Sequence, residues 1–402
     1  MSTLHDMSVD ETSSLDFLSR LVQIKSLSET DGEKEITEFL VQQMIDLGID
    51  ANIYPFNDSR RQNAIGRWKG SGGGESLLFN GHVDTNPVTE GWTMDPWGGV
   101  YDESFIYGIG VSNMKAGCAA YFWAVKELIK IGWKPKGDVV LTFVVGELQG
   151  GVGTAAAISQ GLMAANYFIN CEPTDIRAIT MHAESLIFEI ELIGKTRHMS
   201  AREEAVDAIL AACQLIPKLT DMQFSNPRSD LHRSINRCHV GIVHGALGRD
   251  LLEWRAPQVA DFVRLRGAAR FAPGQTKESV LQDIRDAVTE FCEKEFSGLQ
   301  GTVKTKDSLT MPAFEVDPKS AIVQKLNSAH FKMKGCAQPT GVLRPSCFYG
   351  SDAGHLYKSL RMEGVVCGPG GRYNTRPDER VDICDYIDCI RMFMQVIVDV
   401  CG

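Results

Sequence analysis

Two short apolar runs, Leu77-Leu78-Phe79 and Val139 to Val145, constrain this chain more tightly than any other feature. Each is too short for a helix and lacks the polar alternation of a half-exposed strand, so each reads as a strand buried on both faces. Between them, Ala116 to Ile131 reads as a helix, and this alternation implies an α/β sheet layer. Ser14 to Val22 and Ile36 to Leu47 carry apolar residues at helical spacing, with Thr30 and Glu33 set for a capping box before the second run. Gly70 to Glu75 reads as a flexible turn, since it lacks the Lys-Ser/Thr of a phosphate-binding loop.

The texture changes at Ser185. Leu186 to Ile193 resembles an alternating strand, and Ala205 to Leu219 and Lys277 to Glu295 read as helices. This marks an inserted domain of roughly 120 residues, within the usual domain range. After Pro312 the helix and strand alternation returns, so the last part of the chain completes the first domain. The expected boundaries are 1–183 plus 308–402 for a discontinuous catalytic domain and 184–307 for the insertion. A length of 402 residues suits two domains.

Composition narrows the function classes. Lys plus Arg total 41 against 51 for Asp plus Glu, a formal charge of −10 that disfavours nonspecific nucleic-acid or anionic-membrane binding. No apolar run approaches the roughly 20 residues that cross a bilayer. The polar, acidic start does not resemble a signal peptide, so a cytoplasmic location is expected. The 11 cysteines are an odd number without a CxxC pair, which argues against a disulfide framework and for small, free core thiols.

Four segments set metal-capable or acid/base side chains just after expected strands, where open α/β sheets bind their ligands. They are Gly81-His82-Val83-Asp84, Ser112-Asn113-Met114-Lys115, Glu147-Leu148-Gln149-Gly150-Gly151 and Cys171-Glu172-Pro173. Singly each is weak, because a lone His is more often a satisfied polar residue than a ligand. Asp84 strengthens the ligand reading of His82 by offering a partner to fix its tautomer. His232, His239 and His244 show no ligand spacing and read as core or surface residues.

The ordered set, with Trp92, Asp95-Pro96-Trp97, Tyr107-Gly-Ile-Gly, Asn113 to Gly117, Glu147 to Thr154, Gly194 to Ser200, Arg270 to Gly274, Ser351-Asp-Ala353 and Gly368 to Val381, resembles one family across nearly the whole chain. It is similar to the aminoacylase, acetylornithine deacetylase and succinyl-diaminopimelate desuccinylase family of zinc peptidases. The resemblance implies an α/β fold, with a phosphorylase/hydrolase-like catalytic domain built on a mixed sheet and an inserted α+β lid or dimerisation domain. It also implies a homodimer and hinge closure that excludes water. Two ions share a bridging carboxylate in that family, and a Glu takes a proton from the attacking water. His82 matches the first-site histidine, Asp84 the carboxylate that orients it, Glu147 the general base and Glu172 the first-site carboxylate. His198 matches a histidine that helps hold the oxyanion, and Arg270 an arginine that grips a substrate carboxylate. Ser351, Gly370 and Asn374 fall in the loops expected to close on substrate, with Arg372 and Arg376 nearby.

Three ligands do not match. Asn113 stands for the bridging Asp, Leu148 for the second-site Glu and Thr375 for the second-site His. Leu has no lone pair to give and a neutral hydroxyl is a poor zinc ligand, so the second site is expected to be lost. His82 and Glu172, with the amide oxygen of Asn113, remain to hold one divalent ion, Zn, Mn or Co, at reduced affinity. The reading this favours is a one-metal hydrolase of the C–N bond in a small carboxylate-bearing substrate, an N-acyl amino acid or dipeptide, with Glu147 as general base. Release of ammonia from an electron-poor amine is the alternative, as in one branch of the family, 5-nitroanthranilate aminohydrolase. Metal-free catalysis by Glu147 with His198 and a non-catalytic homologue are the remaining readings. Clustered carboxylates repel one another, which argues against an idle site.

Overall fold

A computed structural model describes residues 8–57, 61–305 and 309–402. The chain divides into two units, one comprising the residues through Met181 with Phe314–Ser346 and Gly350–Gly402, the other His182–Ala313 with Cys347–Tyr349. The first crossover thus falls two residues before the expected boundary. The expected 307/308 boundary adjoins or enters residues outside those described.

The first unit is built on an eight-stranded mixed sheet in the order Asp50–Phe56, Arg61–Trp68, Val139–Val144, Leu77–His82, Tyr167–Asn170, Glu363–Val366, Ala178–Ile179, Thr340–Gly341. Leu77–His82 runs parallel to both Val139–Val144 and Tyr167–Asn170. Every residue of Leu77–His82 and of Val139–Val144 is buried, which is why their sequences show no polar alternation. Phe79 stacks on Tyr121 of the Ala116–Lys130 helix at 5.4 Å and meets Phe393 of the Ile383–Cys401 helix at 5.1 Å. One strand residue thereby anchors two helices over the centre of the sheet.

The capping box does not form. Asp31 is the N-cap of the Gly32–Asp46 helix without a side-chain bond, and the Thr30 hydroxyl turns back to the Leu27 carbonyl at 2.6 Å. Glu33 instead faces inward, where its carboxylate accepts from Arg61 Nε at 2.8 Å and from Nη2. A buried bidentate ion pair outweighs a cap worth about 1 kcal/mol, since removing one partner of such a pair costs roughly 3–5 kcal/mol.

The second unit carries a four-stranded antiparallel sheet in the order Arg237–Ala246, Phe262–Phe271, Glu184–Ile193, Gln300–Thr305. Leu186, Phe188, Ile190 and Leu192 turn to its core with Leu215 of the Ala208–Asp221 helix and Ile284 of the Lys277–Lys294 helix. The period-two pattern read from Leu186 onward is this face. All 11 cysteines are free, and eight of them are buried. Among the described residues no helix is long and apolar enough to cross a membrane.

Candidate active site

The strand order decides where the chemistry converges. Leu77–His82 lies between Val139–Val144 and Tyr167–Asn170, with His82 opposite Val144 and Asn80 opposite Asn170. The loops that leave the carboxyl ends of these three strands carry His82, Glu147 and Glu172, and one ligand-type atom from each lies within 4.8 Å of the others. His82 Nε2 stands 3.9 Å from Glu147 Oε2 and 3.4 Å from Asn113 Oδ1. Glu172 Oε1 is buried with no hydrogen-bond partner among the described residues. The His82 side chain has no exposure whereas that of Glu147 keeps 11 %, so Glu147 is the member that a small molecule can reach.

Asp84 works differently from the expectation. The nearer partner of His82 Nδ1 is the Asp84 carbonyl oxygen at 2.9 Å, with the carboxylate Oδ1 at 3.5 Å. That carboxylate accepts from the Gly146 amide at 2.9 Å and the Glu147 amide at 3.4 Å, and from the Ser28 hydroxyl at 2.5 Å. The carbonyl therefore orients the imidazole while the carboxylate pins the loop bearing Glu147. Gln149 in that loop accepts from Arg61 Nη2 at 3.2 Å, which ties the loop to the buried Glu33 pair.

Burial is the largest influence on the cluster. It drives the Glu147 carboxyl well above the usual range, aided by Glu172, Asp352 and Asp84 and opposed by His82. It takes Glu172 up to about 7. Burial alone would lower His82, but the surrounding carboxylates, led by Asp84, hold it well above its usual value. A site that crowds acidic groups until they resist ionising suits a cation. The donor set of one imidazole and carboxylate oxygens, with a partnerless Glu172 oxygen, fits a divalent ion.

Other expected site residues belong to the second unit or do other work. His198 is an exposed N-cap in the second unit, its Nδ1 at 3.0 Å from the Ser200 hydroxyl. Arg270 is half-buried on the Phe262–Phe271 strand of that unit. Ser351, expected to meet substrate, is fully buried, and its hydroxyl accepts from the Ala353 amide at 3.3 Å. Gly370, likewise expected at substrate, packs so closely that a Cβ there would come within 2.6 Å of Ser112 Oγ. Its φ of 77° and its carbonyl, which accepts from the Asp175 amide at 2.6 Å, make it part of the loop scaffold. Arg372 is committed to Asp175, Asp382 and Asp385. Asn374 is half-buried, its Oδ1 accepting from the Thr375 hydroxyl at 3.0 Å.

Two carboxylates escaped the sequence reading although both lie in segments it quoted. Asp352 is fully buried and raises Glu147 and Glu172 by repulsion. Glu379 is buried, and its Oε1 accepts from the amides of Ser112 at 2.8 Å and Asn113 at 3.1 Å, setting the backbone that presents Asn113.

A model of peptidase family M20/M25/M40 matches residues 78–399. The chain belongs to this family. It is thereby one of the M20 hydrolases that act on C–N bonds, metallopeptidases that use divalent ions. The N-formyl-4-amino-5-aminomethyl-2-methylpyrimidine deformylase of Bacillus subtilis is 26% identical over 373 residues, 87% of this chain and 85% of that protein. The succinyl-diaminopimelate desuccinylase of a Nitratiruptor species is 26% identical over 328 residues, 80% of this chain and 83% of that protein. Human carnosine dipeptidase 1 shares the fold with a TM-score of 0.78 at 12% identity, over 97% of this chain and 96% of that one. Within the M20 family, then, this chain has Asn113, Leu148 and Thr375 where the resemblance implies metal ligands.

Proposed function

We propose that this M20 chain hydrolyses the C–N bond of a small carboxylate-bearing substrate, an N-acyl amino acid or a dipeptide, with a single divalent ion. The observation that carries the reading is the meeting of His82, Glu147 and Glu172 within 4.8 Å at the carboxyl ends of three parallel strands. His82 and Glu172 would hold the ion, Zn, Mn or Co, with the Asn113 amide oxygen beside them; Leu148 and Thr375 leave no second site. When bound, the ion supplies Lewis acidity to the scissile carbonyl.

The chain's own groups do the rest. Glu147, the reachable member, takes a proton from the attacking water at its carboxylate and returns it to the leaving nitrogen, work for which a raised pKa suits it. The Asp84 carboxylate holds the Glu147 loop during both transfers. From the second unit, His198 would steady the oxyanion and Arg270 a substrate carboxylate, and Asn374 would add a polar contact to substrate. The deformylase and desuccinylase names of the relatives support an acyl group on nitrogen. A homodimer paired through the exposed edge strand Arg237–Ala246, where Ile242 and Val243 face outward, agrees with the same reading.

The test is metal content per chain after gentle purification, followed by a substrate screen that scores acyl or amino-acid release against ammonia release. One ion per chain and acyl release are expected. Ammonia release alone would move the reading to an aminohydrolase, and full activity after chelation would remove the ion from it.

A further inference from the structure

The positions vacated by the second ion line a cavity of a different character. Asn113 and Thr375 both border it, together with Trp92, Asn86, Glu379 and Arg376, and it offers about 40 Å³ to the centres of water-sized groups. Since roughly 10–15 Å³ holds one water, this space accepts about three or four water-sized groups, enough for a carboxylate head. Trp92 Nε1, a donor only, is buried with no hydrogen-bond partner among the described residues. Arg376 adds a permanent positive charge, its guanidinium carbon 5.8 Å from the Tyr373 ring, and no carboxylate among the described residues pairs with it.

The one acid on the wall does not reverse this polarity. Glu379 Oε1 is already taken by the amides of Ser112 and Asn113. A cation placed here would meet a guanidinium and find neither an imidazole nor a free carboxylate. An oxyanion would meet a guanidinium, an unused indole N–H and the amide groups of Asn86 and Asn113.

We propose that this cavity is a subsite for an oxyanionic group of the substrate, of carboxylate class, gripped by Arg376 and Trp92 Nε1 in the ground that a second ion would otherwise need. The subsite shares Asn113 with the His82 cluster, so a substrate anchored by its anion is held with its next atoms toward Glu147. Its use as a substrate anchor rests on the hydrolase reading; the binding itself does not.

The test is calorimetric titration of the full chain, as purified, with acetate, using acetamide as the uncharged control. Acetate is expected to bind and acetamide not. Arg376→Ala should weaken acetate by at least about tenfold, and Trp92→Phe by a smaller factor, the scale of a lost charged and a lost neutral hydrogen bond. Arg376→Lys should recover part of the loss. Repeating the titration in Glu147→Gln, where turnover stops, keeps this result apart from the fate of the hydrolase reading. The proposal is overturned if wild type shows no acetate binding, or if acetamide binds equally well. It is overturned too if Arg376→Ala and Trp92→Phe are both silent, if Arg270→Ala alone abolishes binding, or if binding vanishes with chelator and ignores Arg376.

Discussion

Two sides of one cleft, meeting at Asn113, have taken opposite electrostatic courses. On one side His82, Glu147 and Glu172 crowd together, and their mutual repulsion and burial raise the carboxyl groups. On the other, Thr375 stands where the resemblance implies a histidine, and the guanidinium of Arg376 lines the same cavity. On the proposed reading a cation is favoured on the first side and an anion on the second, which would make the three unmatched ligand positions a redistribution of charge rather than a general decay. Clustered acids cost stability when nothing neutralises them, and that cost marks the side with a remaining task.

The comparison can be broken most directly at Glu147. Glu147→Gln should lower kcat by at least about 100-fold while one ion per chain is retained, because the amide can still neighbour the ion but cannot carry the proton. Loss of the ion together with the rate would make Glu147 a ligand instead. Next in size, Glu172→Gln should weaken metal binding by more than the roughly 10–100-fold that supporting residues are worth, read by competition with a chelating dye. Affinity equal to wild type would empty the first side of its meaning.

Restoring Asn113→Asp, Leu148→Glu and Thr375→His together should move metal content toward two per chain, and adding Arg376→Ala should carry it further. A content fixed at one in both variants would contradict the charge argument. The smallest effect is on stability. Glu172 titrates near 7 in the folded chain and near 4.5 unfolded, so between these values the folded chain holds a proton that the unfolded one has released. Its contribution is complete below about 4.5 and disappears as pH rises through 7, and the raised His82 adds the same sign above 6.5. Chelated protein should therefore lose about 2–4 °C of Tm per kcal/mol across roughly pH 5 to 7.5, and added Mn or Zn should flatten the slope. A Tm of chelated protein that rises over that window would refute the assignment.

Much of this was legible in the residues. The apolar runs at Leu77 and Val139 marked buried strands, and the residues just after them include the His82 and Glu147 that converge with Glu172. What they did not contain was the neighbour order of the strands, which is long-range and alone brings Glu172 beside His82. The local capping signal at Thr30 misled because Arg61, 28 positions from Glu33, competes for the same carboxylate. Asp84 was assigned to His82 by proximity in sequence, yet a residue also has a carbonyl, and only the backbone path shows which oxygen does which work. Arg376 and Arg372 looked alike in sequence, and the ion pairs of Arg372 with Asp175, Asp382 and Asp385 tell them apart.

Asp84 spends its two ends on different masters. Its main chain sets the ring of His82 and its side chain sets the amides leading into Glu147. The His82 ring and the Glu147 loop are thus riveted by one residue. Drift in the relative placement of the His82 ring and the Glu147 loop has to pass through position 84.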